Sequence, residues 1–352
     1  MAQRPVFSEA NFMDVLSEVL GAVKLRGALF FNGEFSAPWC LRSAPSSSAA
    51  EYLLALLGDS GGAASRQRLI IFHFLTEGRA YARLPGGNRE ELSSGDIVIV
   101  PNGEDHVIGN GSPEKPVDSL QTFSRNLRRG LKTTHFGGDG EVTRFVCGFM
   151  ACERYLSDVF LNGLPPLLKV RVGGEPSGQW LEHSIRFSVD QASRSSAGSA
   201  LVVSKLSEVL FVEALRRYVN MLPSSQTGWL AGARDPVIGQ ALAVLHKEPS
   251  RQWNLETLAK SAGLSRTRLT DRFRHFLGKS PMAYLAQWRL KLGAEMLQRT
   301  DHSVAEIATS VGYGSEATFN RAFKREFHCP PARFRLERHS VAIAAKRIPR
   351  PG

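Results

Sequence analysis

A near-repetition in the C-terminal third constrains this chain more than any other feature of its sequence. The stretch VGYGSEATFNRAFKREF, Val311 to Phe327, restates AGLSRTRLTDRFRHFLG, Ala262 to Gly278. Leu258, Ala259 and Gly263 correspond to Ile307, Ala308 and Gly312 at an offset of 49. After one extra residue in the second turn, Leu269, Phe273, Pro281 and Tyr284 correspond to Phe319, Phe323, Pro331 and Phe334 at an offset of 50. Each copy begins with a short segment whose apolar residues (Leu255, Leu258, Ala259 and Ala262, or Val304, Ile307, Ala308 and Val311) fall on one helical face. Gly263 and Gly312 suit the position after a helix end, where positive φ is cheap only for glycine. Ser265 and Ser315 are placed to cap the next helix. That helix sets Leu269, Phe273 and Phe276, or Phe319, Phe323 and Phe327, opposite a polar, largely basic face. The pattern is a helix-turn-helix, whose second helix fits the DNA major groove. Two copies are fewer than the roughly three that a stacked solenoid needs.

Between the copies lies SPMAYLAQWRLKLGAEMLQRTDHS. Ser280 can cap, Pro281 suits the first helical position, and Tyr284, Leu285, Trp288, Leu292 and Met296 recur at helical steps up to Thr300-Asp301. A helix of about 19 residues is roughly 28 Å long. Joined by it, the recognition helices would stand about one DNA turn, near 34 Å, apart on one face of the duplex. One polypeptide would then read two successive major-groove segments, a task that usually takes a dimer of single units.

Charge falls on the same third. From Trp229 onward there are 21 Lys and Arg against 10 Asp and Glu, whereas the first 228 residues carry 23 of each. A neutral body joined to a basic module points to a polyanionic partner for that module. The 352 residues, 43% hydrophobic and 22% charged, suit about two globular domains. No apolar run approaches the roughly 20 residues of a bilayer span. The start, MAQRPVFSEANFMDVLSEVL, lacks the zones of a secretory signal. Cys40, Cys147, Cys152 and Cys329 are too few and too scattered for a disulfide framework. The expectation is a reducing cytoplasm and no membrane partner.

The segment from about Trp229 to Arg338 resembles the DNA-binding domain of the AraC/XylS family of bacterial transcription regulators. IATSVGYGSEATFNRAFKREFHCPPARFR reproduces the family signature almost throughout, including the closing Pro-Pro and the aromatic residue after it. The resemblance implies double-stranded promoter DNA as partner, control of transcription initiation and hence RNA polymerase as a second partner. Carried over by position, the first recognition helix exposes Arg266, Thr267, Arg268, Thr270, Asp271 and Arg272. The second exposes Glu316, Ala317, Thr318, Asn320, Arg321 and Lys324. Arg321 and Asn320 suit base edges, since arginine grips guanine and asparagine adenine in bidentate fashion. Arg268, Arg272, Lys324 and Arg325 suit phosphates. Asp271 fits only if it accepts from cytosine N4 or pairs with an arginine.

From Leu69 the chain shows short apolar runs, alternation and glycine-rich turns, which predict a β-barrel or sandwich. GDIVIVPNGEDHVIGN resembles the second motif of the cupin family, with Gly95, Pro101, Gly103, His106 and Asn110 at its spacings. The resemblance aims His106 into the barrel mouth. Metal-binding cupins add two histidines and a glutamate from an earlier motif; this chain offers His73 and Glu77, with Ile71 where the other histidine would stand. No metal or other cofactor is therefore expected. Cys147 and Cys152, five apart, match neither zinc knuckles nor a CxxC redox pair. They are either buried small hydrophobes or, with His73 and His106, parts of a thiol or zinc sensor. The sequence presents no nucleophile–base pair and no phosphate loop, so catalysis is not expected.

Two amphipathic helices are predicted between Ser177 and Met221, with a turn at SRSSAGS. The second is apolar most of the way round and must be covered on both sides, by the barrel and by a partner subunit. PSSQTGWLAGARDP then reads as an interdomain hinge. The expected architecture is an α+β multidomain chain with an N-terminal cupin-like β-barrel sensor (1–165), a helical linker and dimerisation segment (166–228) and an all-α DNA-binding domain (229–340). The last holds helix-turn-helix units at 255–277 and 304–327, and a basic tail (341–352) follows it. The expected function is a homodimeric, sequence-specific transcription regulator controlled by an effector, redox or metal signal at the cupin domain. The alternative is a cupin-type metalloenzyme with an accessory DNA-binding domain.

Overall fold

Leucine- and valine-rich positions at helical spacing form a first helix, α1 (Ala10–Val23), and the strand β1 (Arg26–Ser36) follows, buried at every second residue. The computed structural model describes residues 10–58, 67–111, 115–119, 121–123, 131–194 and 196–336. The chain forms two compact units. One comprises Leu25–Cys152 and Leu164–Tyr218; the other comprises the described parts of Met1–Lys24, Glu153–Gly163 and Val219–Gly352.

The first unit continues through β2 (Trp39–Ser43), the helix α2 (Ser46–Leu56), β3 (Gln67–Glu77), β4 (Arg79–Arg83), β5 (Glu90–Ser93), β6 (Asp96–Val100) and β7 (His106–Asn110). Then come β8 (Val117–Asp118), β9 (Thr134–Gly137), β10 (Val142–Glu153) and, beyond a helical insertion, β11 (Leu168–Arg171). Six strands form one sheet in the order β11-β6-β3-β10-β1-β9, and five form the other in the order β5-β4-β7-β2-β8. Phe31, Phe35, Trp39, Leu41, Ile108 and Phe145 belong to one buried cluster, with the Trp39 and Phe145 rings stacked 5.3 Å apart. Gly103 has a φ of +58°, and a Cβ there would come within 2.7 Å of the Leu69 carbonyl oxygen. The turn before β7 therefore accepts glycine alone.

The insertion is α3 (Arg154–Leu161), and α4 (Pro176–Ser193) and α5 (Ser199–Met221) follow β11. Val203, Leu210, Phe211, Ala214 and Leu215 of α5 are buried, while Leu201, Val202 and Val209 lie exposed. Trp180 and Phe187, two turns apart on α4, are exposed too, at 60% and 66%.

The second unit contains α6 (Trp229–Arg234), α7 (Pro236–Lys247), α8 (Leu255–Ser261), α9 (Arg266–Leu277), α10 (Pro281–Arg299), α11 (Val304–Ser310) and α12 (Glu316–Phe327). Its joints are those the repeat predicts. Ser265 Oγ accepts from the Arg268 amide and Ser315 Oγ from the Thr318 amide. Ser280 caps α10 ahead of Pro281, and α10 is 19 residues long. Gly263 and Gly312 take φ values of +65° and +91°. The copies differ at one end: α9 stops at Gly278 and α12 at His328, both left-handed.

The compact units depart from the expected boundaries. Helices α1 and α3, placed within a 1–165 sensor by sequence, belong to the unit that holds the two helix-turn-helices. There α1 packs on α7 and α3 on α10. Val15, Val19 and Val23 of α1, and Leu156 and Phe160 of α3, are buried. The division after Tyr218 falls inside α5 rather than at the expected hinge, where α6 has formed. An amphipathic pattern announces that a helix needs cover but not which surface supplies it. Among the described residues no helix is long and apolar enough to cross a membrane. The expected basic tail lies outside the described residues.

Candidate nucleic-acid interface and ligand cavity

The recognition helices are held from behind by aromatic burial. Leu269 and Phe273 of α9 and Phe319 and Phe323 of α12 are completely buried. Each phenylalanine contributes roughly 1.5–3 kcal/mol relative to exposure. Fixing that face turns the opposite one to solvent. Arg266, Thr267, Arg268, Asp271 and Arg272 are exposed on α9, and Thr270, half-buried, turns its hydroxyl back to the Arg266 carbonyl at 2.9 Å. On α12, Glu316, Ala317, Thr318, Arg321 and Lys324 are exposed, and Asn320 is half-buried with its amide 3.4 Å from Glu316 Oε1. Arg321 reaches Thr318 Oγ1 at 3.4 Å. Arg272 is ion-paired with Asp235, whose other oxygen caps α7 at the Val237 and Ile238 amides. The sequence suggested a free phosphate anchor at Arg272; the fold gives its guanidinium a second partner.

Behind the first helix-turn-helix sits a buried polar chain that sequence reading missed. Trp229 Nε1 donates to Tyr284 Oη at 2.8 Å, which leaves that hydroxyl to donate to His246 Nε2 at 2.6 Å. Burial takes the His246 imidazole down to about 3.

The cupin unit brings three of the four sensor candidates together. His73 on β3 and Cys147 on β10 lie on neighbouring strands of the six-stranded sheet, and His106 opens β7 in the other sheet. Cys147 Sγ is 2.6 Å from His73 Nδ1, His73 Nε2 is 2.7 Å from His106 Nε2, and His106 Nδ1 is 2.7 Å from the Glu104 carbonyl. That carbonyl only accepts, so His106 carries its proton on Nδ1 and accepts at Nε2. His73 must then donate from Nε2 and accept at Nδ1, and the Cys147 thiol donates to it. One backbone oxygen sets every proton in the chain.

Burial keeps all three groups uncharged. It holds the His73 imidazole well below its ordinary range, and the repulsion two protonated rings would feel adds to the effect. Burial also lowers His106, opposed by its hydrogen bond to Glu104 and by the Asp105 carboxylate. The Cys147 thiol is pushed well up by burial alone.

Beside this chain lies a cavity with an empty volume of about 660 Å³, its open mouth included. Phe31, Leu41, Ile71, Phe123 and Phe145 line it, with His73 and Cys147 at one polar position and Ser43, Ser46 and Ser119 at others. His106 does not line it; the ring is fully buried behind His73 rather than aimed into the mouth as the motif suggested. Cys152 is also elsewhere, its thiol directed 3.7 Å to the Arg68 carbonyl. Five residues apart on one strand, the two sulfurs face opposite sides. Glu77 is half-exposed and ion-paired with Arg144. His73 uses both ring nitrogens on different partners, so the three side chains do not converge on one point. Among the described residues no group of three or more His, Cys, Asp or Glu side chains is placed to hold a metal. The contact between Cys147 and His73, which the sequence offered as one of two alternatives for the cysteine, spans 74 residues of sequence.

A family model described as "Cupin" matches residues 14–220, and one described as "Helix-turn-helix domain" matches residues 258–337. The chain is 30% identical over 277 residues to the HTH-type transcriptional regulator AlkR of Acinetobacter baylyi, covering 77% of this chain and 89% of that protein. It is 30% identical to the HTH-type transcriptional regulator MtrA of Neisseria gonorrhoeae, over 76% of this chain and 86% of the other. It is 28% identical to the RCS-specific HTH-type transcriptional activator RclR of Escherichia coli K12, over 76% and 84% respectively.

Proposed function

The chain belongs to the AraC-type transcription regulators that join a cupin domain to a helix-turn-helix domain, and from that premise we propose that the cupin cavity receives the controlling signal. The observation that carries this reading is the cavity itself, lined mostly by apolar side chains, with polar positions at His73 and Cys147 and at Ser43, Ser46 and Ser119. Binding sites for small molecules have that composition, an apolar enclosure with few polar groups that set orientation. The effector is a largely apolar small molecule carrying few polar groups. The protein is a cytoplasmic regulator and not an enzyme, and RNA polymerase is its partner at the promoter.

On the DNA side, Arg321 and Asn320 read base edges while Arg268, Lys324 and Arg325 hold phosphates. Arg266, Thr267, Thr270, Asp271, Glu316, Ala317 and Thr318 complete the two groove-facing surfaces, and Arg272 divides its charge between Asp235 and the backbone. The exposed Trp180 and Phe187 of α4 and Leu201, Val202 and Val209 of α5 support a homodimer through these helices.

The test of the input site measures melting temperature and promoter-DNA binding of the full chain with a series of 2-ketones of increasing length. The expected result is a rise in melting temperature with chain length and a change in DNA affinity, both lost in Leu41→Trp, which fills the cavity. A flat series, together with a Leu41→Trp variant that responds normally in a reporter strain, would overturn the reading. For the dimer, sedimentation should show Phe187→Glu with Val202→Glu as monomer.

A further inference from the structure

Recognition of an apolar ligand explains the cavity but not why a thiol on its wall is hydrogen-bonded to an imidazole whose tautomer is fixed from behind. We propose that Cys147 is a covalent capture site for an apolar α,β-unsaturated carbonyl compound, with His73 moving the proton and His106 holding His73 in the required tautomer. The proposal rests on the reading of the cavity as the input site and names the chemistry of what enters it.

Three observations carry it. A nucleophile and a base stand within hydrogen-bond reach, and a third group orients the base, which is the general arrangement of activated nucleophiles. The Glu104 carbonyl places the free lone pair of His73 on Nδ1, facing the thiol. The reactive pair opens onto a cavity lined mostly by aromatic and aliphatic side chains, a surface suited to the hydrocarbon part of a ligand rather than to a small polar oxidant. A disulfide switch would also need a second thiol facing Cys147, and the thiols of Cys40 and Cys152 are directed to other partners, Tyr81 Oη and the Arg68 carbonyl.

The addition balances without an oxidant. As sulfur bonds to the β-carbon, the thiol proton passes to His73 Nδ1 and the alkene electron pair moves onto the α-carbon and carbonyl as an enolate. His73 then returns the proton to the α-carbon, so that S–H has added across C=C. Throughout, His73 Nε2–H stays donated to His106 Nε2. The resting pair is uncharged because burial disfavours both ions. A thiol of high pKa is slow to ionise but a strong nucleophile once its proton is removed.

Full-length protein is incubated with 3-nonen-2-one, an apolar enone, and analysed by intact mass and peptide mapping. One adduct per chain on Cys147 is expected, with none in Cys147→Ser and a rate about a hundredfold or more lower in His73→Gln. Saturated 2-nonanone should slow the reaction by occupying the cavity. On the wild-type protein the rate should stay nearly flat with pH near neutrality, because the neutral pair reacts. An unassisted thiolate would instead speed up about tenfold per pH unit. Labelling of the half-buried Cys329 ahead of Cys147, or the tenfold pH slope, overturns the proposal even if His73→Gln fails to fold. If 2-nonanone raises the melting temperature while the enone leaves no adduct, covalent capture fails and the input site stands. If neither compound binds, both fail.

Discussion

His73 Nε2 faces His106 Nε2 across 2.7 Å, a gap that only one proton can occupy. Removing either ring leaves a buried partner unpaired, at a cost of about 1–3 kcal/mol. His73→Ala and His106→Ala should therefore weaken the cupin unit but leave DNA binding intact, with promoter output fixed at one level whatever the inducing condition. Reporter activity alongside the soluble amount of each variant checks this. Normal induction in both at normal abundance would remove the pair from signalling.

Arg321 and Lys324 lie on one exposed face of α12 but are expected to act differently. Arg321→Ala should cost about 1–3 kcal/mol on the cognate site and relax preference at one base pair. Lys324→Ala should weaken all sequences alike and lower the salt slope by about one unit. Binding titrations on cognate and scrambled duplexes at several salt concentrations separate the two.

Val19 is fully buried in α1, which packs on α7 within the DNA-binding unit. Val19→Asp places an unpaired carboxylate there and should destabilise that unit by several kcal/mol. The fluorescence of Trp229 and Trp288, both buried in this unit, would report an earlier thermal transition. An unchanged transition would mean that α1 contributes nothing to its stability.

Burial lowers His246 from its ordinary value of 6.5 to about 3, so the folded protein binds fewer protons there than the unfolded chain. The stability it contributes is complete above pH 6.5 and is lost as the pH falls toward 3, by about 1.4 kcal/mol per pH unit. Denaturant titrations should show this acid slope, and a folded His246→Gln variant should show a shallower one.

Left-handed backbone at His328, with a φ of +58°, occupies the place that Gly278 fills in the first copy. Glycine pays little for that conformation, so His328→Gly should raise stability by about 1 kcal/mol. A melting temperature that falls instead would show that the imidazole makes a compensating contact.

By itself the sequence determined the elements whose causes are local. The caps at Ser265, Ser280 and Ser315, the left-handed turns at Gly263 and Gly312 and the phenylalanine stripes of α9 and α12 depend on residues a few positions apart. A repeated local pattern therefore announced the double helix-turn-helix, and a turn motif around Gly95, Gly103 and His106 announced the cupin. Only the tertiary structure decided what depends on distant segments. It set His73 against Cys147, turned His106 away from the cavity, joined Trp229 to His246 through Tyr284, and packed α1 and α3 with the DNA-binding helices. Helical or strand periodicity specifies which face of an element must be buried. The surface that buries it, and the protonation state of groups enclosed there, follow from packing between elements that no local window of sequence contains.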